Sequence, residues 1–205
     1  GIEKERLSRK KHDGGNDTLA IQYCLDAAGI SLKDITLVVQ CANFDIPDRN
    51  YFKGERVFSN SNHPPIINIS HHLAHAYSAI GTAPFSECAV MVIDGCGSPL
   101  HQFLELHPEQ EKNISKTILD ETQMTCEKDS FYQFDGQKLT PLIKDFSPVE
   151  SRPDDLLKLP ITRHSIGGFY AAVSHYVFGN MDDVGKLMGL APYGKAGLIE
   201  TEAFE

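Results

Sequence analysis

The chain has 205 residues, 41% of them hydrophobic and 23% charged, with a formal net charge of −9. That length permits one large domain or two small ones around a packed core, and the acidic balance speaks against a nucleic-acid-coating role. No apolar run of about eighteen residues is present, which excludes a helical membrane span, and five cysteines without a C-x-x-C pair argue for a reducing, cytoplasmic setting over a disulfide framework or a cysteine zinc site.

The opening stretch, Ile2 to His12, reads as the middle of a longer protein, and Glu200 to Glu205 has no natural stop signal, so the chain is read as a fragment. Arg6, Arg9, Lys10, Lys11 and His12 form a basic cluster in an acidic chain. Such a cluster suits an anionic substrate, although a solvated surface run is the commoner explanation. Asp17 to Ala28 carries apolar residues at a helical period and ends at Gly29. Ile35 to Ala42 reads as a buried strand, 44–64 as a loop, and Ile66 to Ile69 as a second short buried strand. Ser70 is placed to cap a helix running to about Gly81.

That helix opens His71-His72-Leu73-Ala74-His75, with His71 and His75 one turn apart on one face. Nine histidines in 205 residues produce roughly 0.4 such pairs by chance, so the spacing alone is weak. The next apolar run, Cys88 to Asp94, reads as a strand closing in a carboxylate and a glycine turn. Small residues at Ala74, Ala76, Ser78 and Ala79 allow the helix to pack closely on a sheet, which brings Asp94 towards the imidazoles. Two histidines and a carboxylate suit iron, zinc or manganese and leave positions open for a substrate oxygen. His72, about 100° round the helix, faces another way, towards substrate or a hydrogen-bond partner, with a plain polar role the commoner one.

After Asp94 the turn Gly95-Cys96-Gly97-Ser98-Pro99 is expected to tip a β-hairpin whose second strand is Leu100 to Leu106. Its glycines suit a phosphate, though a tight turn explains them as well. Thr117–Glu127 and Ser130–Lys144 read as further strands, with Asp135-Gly136 as a hairpin turn. Phe146 to Pro160 reads as a loop or lid. Ser165 to Val177 reads as an amphipathic helix with Ile166, Phe169, Tyr170, Val173 and Tyr176 on one stripe. Gly185-Lys186 resembles a phosphate-contacting pair, but the P-loop pattern is absent, and a solvated Lys186 is the simpler reading. Strands and helices are mixed, so the class is α/β or α+β.

Taken together, Glu5–Asp13, the histidine motif, Val92-Ile93-Asp94-Gly95, His164–Tyr170 and Gly185–Gly194 resemble the O-carbamoyltransferase family, which includes nodulation-factor and antibiotic-modifying enzymes. The resemblance implies an α/β, actin/hexokinase-like (ribonuclease H-like) amino-terminal domain, here partial, with a mixed sheet, β-hairpins and flanking helices. Residues 1–205 would all belong to that domain, and the carboxyl-terminal domain that forms carbamoyl-adenylate would lie outside the chain. The activity implied is transfer of a carbamoyl group from carbamoyl phosphate, activated with ATP, to the hydroxyl of a small acceptor, without nucleic acid or membrane partners. Carried over by position, His71, His75 and Asp94 match the metal ligands, iron first among the candidates, with a further aspartate ligand beyond Glu205. Gly95, Gly97 and Lys186 fall where nucleotide and phosphate contacts are expected, and His72 and Lys11 are the expected catalytic side chains. Cys96 departs from the larger residue common in the family. On this reading the fragment would not catalyse the full reaction alone. The alternatives are a tRNA threonylcarbamoyl transferase-like protein, a sugar or acetate kinase of the same superfold, and a non-catalytic domain.

Overall fold

The computed structural model describes residues 1–10, 13, 18–41, 64–114, 125–148, 165–195 and 197. Two helices begin the chain, α1 (Lys4–Ser8) and α2 (Thr18–Ala28). The second lies where its periodicity predicts and stops at Gly29, whose positive φ of 66° suits a residue without a Cβ. Strands β1 (Val38–Cys41) and β2 (Ile66–Ile69) pair in parallel, Val38 opposite Ile66 and Cys41 opposite Ile69. The second has the predicted bounds, but the ladder is not buried: Val39 and Ile67 are about half exposed.

The larger sheet holds β3 (Cys88–Ile93), β4 (Thr125–Phe134) and β5 (Leu139–Pro148), antiparallel and in that spatial order. The Asp135-Gly136 turn joins β4 to β5 as expected. The Asp135 carboxylate accepts from the backbone N–H groups of Gln137 (3.0 Å) and Lys138 (2.8 Å), and Gly136 takes a φ of 91°. Alternation along β3 turns Val90 and Val92 inward and Met91 and Ile93 outward. On the inner face lies α3 (His71–Thr82), which sets Ala76, Leu73 and Ile80 against Val90, Val92, Tyr132 and Leu139. Burial of this apolar layer fixes the helix over the sheet.

Several expectations are corrected. Leu100–Leu106 is a helix, α4, so the hairpin with a glycine tip does not form, and β3 pairs with β4 instead. Leu100 and Phe103 have helical spacing and pack on Phe146, which a strand would not allow. Among the described residues β4 continues unbroken from Thr125 to Phe134, and β5 runs on to Pro148. The 42–63 segment, the beginning of the expected 117–127 strand and the 149–160 part of the lid lie outside the described residues.

Helix α5 (Ile166–Phe178) begins at Ser165, whose hydroxyl accepts from the Gly168 N–H at 2.9 Å, and ends at Gly179 with φ 71°. Its predicted stripe is not what packs. Ile166, Phe169 and Tyr176 are exposed, while Gly168, Ala172 and Ser174 are buried. Close approach decides this: a Cβ on Gly167 would stand 2.5 Å from the Gly95 nitrogen, so glycine there lets α5 sit against the turn after β3. Helix α6 (Val184–Leu190) follows beyond the far end of α5. The whole is a mixed α/β arrangement with one parallel and one antiparallel sheet. No helix among the described residues is long and apolar enough to cross a membrane.

Candidate metal centre

Strand β2 delivers the chain into the first turn of α3, and β3 ends beside it, so His71, His75 and Asp94 meet at one opening. His71 Nε2 lies 2.7 Å from Asp94 Oδ2 and 3.1 Å from His75 Nε2, and His75 Nε2 lies 3.6 Å from the same carboxylate oxygen. The two rings meet edge-on, 88° apart in plane, with centroids at 4.6 Å. All three donor atoms fall within 4.8 Å of one another. Two nitrogens and one carboxylate oxygen are the donor chemistry of a borderline divalent cation. The remaining His71 nitrogen, Nδ1, contacts the Cys41 thiol at 3.6 Å, so both faces of that ring are occupied as they are in ligating histidines.

The electrostatics of the trio are strongly split. The hydrogen bond to Asp94 pushes His71 up to about 10, with Cys41 adding and burial opposing. Burial works against the Asp94 charge, but the bonds from His71 and the Gly95 N–H outweigh it and hold the carboxyl down at about 2. Without a cation the pair is therefore imidazolium and carboxylate, and a metal ion competes with a proton for these atoms.

His72, the neighbouring residue, goes the opposite way. It is fully buried, and of the two directions expected for it, substrate or a hydrogen-bond partner, the structure shows the second. Its Nδ1 lies 2.7 Å from Ser130 Oγ, which also accepts from Lys144 Nζ at 2.9 Å. The Ser130 hydroxyl, with two lone pairs and one proton, can accept from Lys144 and still meet Nδ1 as donor or acceptor. The His72 Nε2 faces Gly97 and has no partner among the described residues. Burial pushes His72 down to about 4, against the pull of the Glu127 charge.

Behind His72 is an ion pair that the sequence reading missed. Glu127 on β4 and Lys144 on β5 are joined directly, and Glu127 has no exposure at all. One signal was available: Lys144 stands two residues before the aromatic Phe146, so the two share a face by period 2. Glu127 gave none, because a bulge between Glu127 and Ser130 moves it onto that face.

The remaining predicted residues do not gather. The Gly95 N–H bonds its own neighbour's Asp94 carboxylate at 2.6 Å, and the Gly95 carbonyl accepts from Ser165 Oγ at 3.0 Å. The Gly97 N–H donates to the Glu127 carbonyl at 2.9 Å, and a Cβ there would stand 2.6 Å from both His72 and Glu127. The two glycines thus serve packing and strand-like pairing, and both N–H groups are occupied where a phosphate cradle needs them free. Lys186 pairs with Asp183 at 2.7 Å and lies near the Phe178 ring, at the opposite end of α5 from Gly95. The helix between them has thirteen residues and is about 20 Å long. Lys11 lies outside the described residues.

A strand-end carboxylate facing a helix-borne histidine pair on a mixed α/β frame defines a class of domain, and the sequence comparisons narrow it. The chain belongs to the carbamoyltransferase amino-terminal family, whose model, described as "Carbamoyltransferase N-terminus", matches residues 46–204. It is 27% identical to "Uncharacterized protein sll1178" of Synechocystis over 97% of this chain and 32% of that protein. It is 26% identical to "Nodulation protein NolNO" of Sinorhizobium fredii over 94% of this chain and 25% of that protein. The chain thus spans about a third and a quarter of the length of these curated relatives. All three candidate ligands fall inside the family match, and Lys11 falls before it.

Proposed function

We propose that this chain is part of the metal-bearing, actin/hexokinase-like domain of an O-carbamoyltransferase, which passes a carbamoyl group to a hydroxyl of a small acceptor. Carbamoyl phosphate and ATP are the substrates from which that group is activated, in a carboxyl-terminal domain outside this chain. The observation that carries the reading is the convergence of His71, His75 and Asp94 in a chain of this family. A divalent ion held there, iron before zinc or manganese, supplies Lewis acidity towards a carbamoyl oxygen. The chain's own side chains divide the remaining work. Asp94 brings the negative charge and, through its second oxygen, is anchored by the Gly95 N–H. His71 is steered from behind by Cys41. His75, the most exposed of the three, borders the open side from which an acceptor approaches. His72 stays neutral and internal, so it supports the helix and does not exchange protons with substrate.

The test is made on the full-length protein that carries this chain, with His71→Ala and His75→Ala variants. Metal content by elemental analysis and carbamoyl transfer with pyrophosphate release are both expected to collapse in each variant. Unchanged metal content and unchanged transfer would overturn the reading. Substrate-dependent release of ADP in place of pyrophosphate would instead identify a kinase.

A further inference from the structure

The three candidate ligands come from two elements, so their spacing depends on how the start of α3 is tied to the 94–98 turn. One carboxylate oxygen makes that tie. Glu127 Oε2 accepts from the backbone N–H of His72 in α3 (3.3 Å) and from that of Ser98 in the turn (3.0 Å). The Ser98 hydroxyl accepts in turn from the N–H of His71 itself, at 2.9 Å. The Glu127 backbone adds two more bonds to the turn, accepting from Gly97 N at 2.9 Å and donating to Ser98 O at 3.0 Å. Ser70, which occupies the usual capping position, makes no cap bond, and its hydroxyl is buried without a partner among the described residues. Capping of α3 has passed to Glu127 and Ser98, both fully buried or nearly so.

A carboxylate with no exposure is costly unless compensated. Lys144 compensates it through Oε1 and places its other two protons on Ser130 Oγ (2.9 Å) and Tyr132 Oη (2.8 Å), which uses all three ammonium donors. Apolar side chains of similar size would fill this interior at least as well. They could not hold N–H groups of two separate elements on one atom. We propose that Glu127 is a positioning residue of the candidate metal centre, a buried side chain whose shared acceptor oxygen locks the histidine-bearing turn of α3 to the Asp94 turn, with Lys144 supplying the charge that offsets its burial. The inference rests on reading His71, His75 and Asp94 as a metal site.

The experiment uses the full-length protein with Co(II) alone as probe, following affinity and visible absorption beside urea unfolding. The double variant Glu127→Met/Lys144→Met removes both charges and the shared acceptor at similar volume. It is expected to stay folded and to bind Co(II) about 10–100-fold more weakly, with an altered absorption spectrum. Glu127→Gln/Lys144→Met keeps an acceptor oxygen in place and is expected to restore affinity to within a few-fold. A folded Met/Met variant with wild-type affinity and spectrum overturns the assignment, as does equal loss in both double variants. If the Met/Met variant does not fold, Ser98→Ala decides: weaker Co(II) binding by a stably folded variant supports the lock, and unchanged binding overturns it. Absence of Co(II) binding by the wild-type protein would sink the metal reading itself, and is thereby distinct from failure of the lock alone.

Discussion

Two charged clusters flank the first turn of α3, and they are built to opposite rules. The outer one, His71, His75 and Asp94, is half open and short of positive charge unless a proton or cation enters it. The inner one, Glu127, Lys144, Ser130 and His72, is closed and neutral as a whole, with its charges matched internally. Adjacent histidines show the contrast best: His71 is pushed up to about 10 and His72 down to about 4. A carboxylate at contact distance dominates the first, and removal from water dominates the second. The lesson is that proximity in sequence says little about protonation. Which side of the helix a ring leaves from decides it.

The sharpest way to break the inner cluster is Glu127→Ala, which strands the Lys144 ammonium in the interior. A loss of about 3–5 kcal/mol in urea-unfolding free energy is expected, whereas Asp94→Asn at the outer cluster, where solvent screens the pair, should cost the metal-free protein less, and only below the pH at which His71 gives up its proton. Urea titration of both variants compares the two regions directly.

Acidity provides the next separation. Because the folded pKa of His72 lies below its unfolded value, the unfolded chain binds the extra proton first. Stability is therefore full above pH 6.5 and falls as pH drops towards 4, by roughly 3 kcal/mol at one pKa unit per 1.36 kcal/mol. Glu127 acts in the same direction further down: burial opposes its charge, but Lys144 and His72 hold its pKa below the ordinary 4.5, so its contribution is lost only as pH falls beneath that value. His71 has the opposite sign. Its contribution is complete below pH 6.5 and is lost as pH rises towards 10. Unfolding midpoints of the metal-free protein should peak near pH 6.5, and His72→Gln should remove the upper part of the acid slope.

A metal should affect only the outer cluster. At a free concentration 100 times its Kd, it should raise the stability of the wild-type protein by about 2.7 kcal/mol, and chelation should reverse this. His71→Ala should show no such gain in the same unfolding assay. The smallest effect expected is from Cys41→Ala, which removes the partner of His71 Nδ1. Metal affinity should fall by about 10-fold at most, with thermal stability in the metal-free state little changed, as calorimetry can check.

Much of the local structure was legible beforehand. The bounds of β2, the end of α2 at Gly29 and the Asp135-Gly136 turn follow from short-range patterns of period and turn chemistry, while α3 starts where expected but without the Ser70 cap expected for it. The helix at Leu100–Leu106 shows the limit: the glycine turn before it suggests a hairpin strand, while Leu100, Phe103 and Leu104 have helical spacing. The stripe on α5 shows another. Its apolar residues are real, yet the face that packs is the one whose small residues let two backbones touch at Gly167 and Gly95.

From the sequence alone came α2, β2, α3, β3 and α5 and the pairing of two histidines with one carboxylate, because helix period and strand ends are set by neighbours a few residues apart. Only the tertiary structure decided which histidine faces outward, which turn glycines have occupied N–H groups, and that a glutamate and a lysine from two strands lie beneath the site. Those outcomes depend on a strand bulge and on long-range packing, where a shift of one residue exchanges the inside of a sheet for its outside.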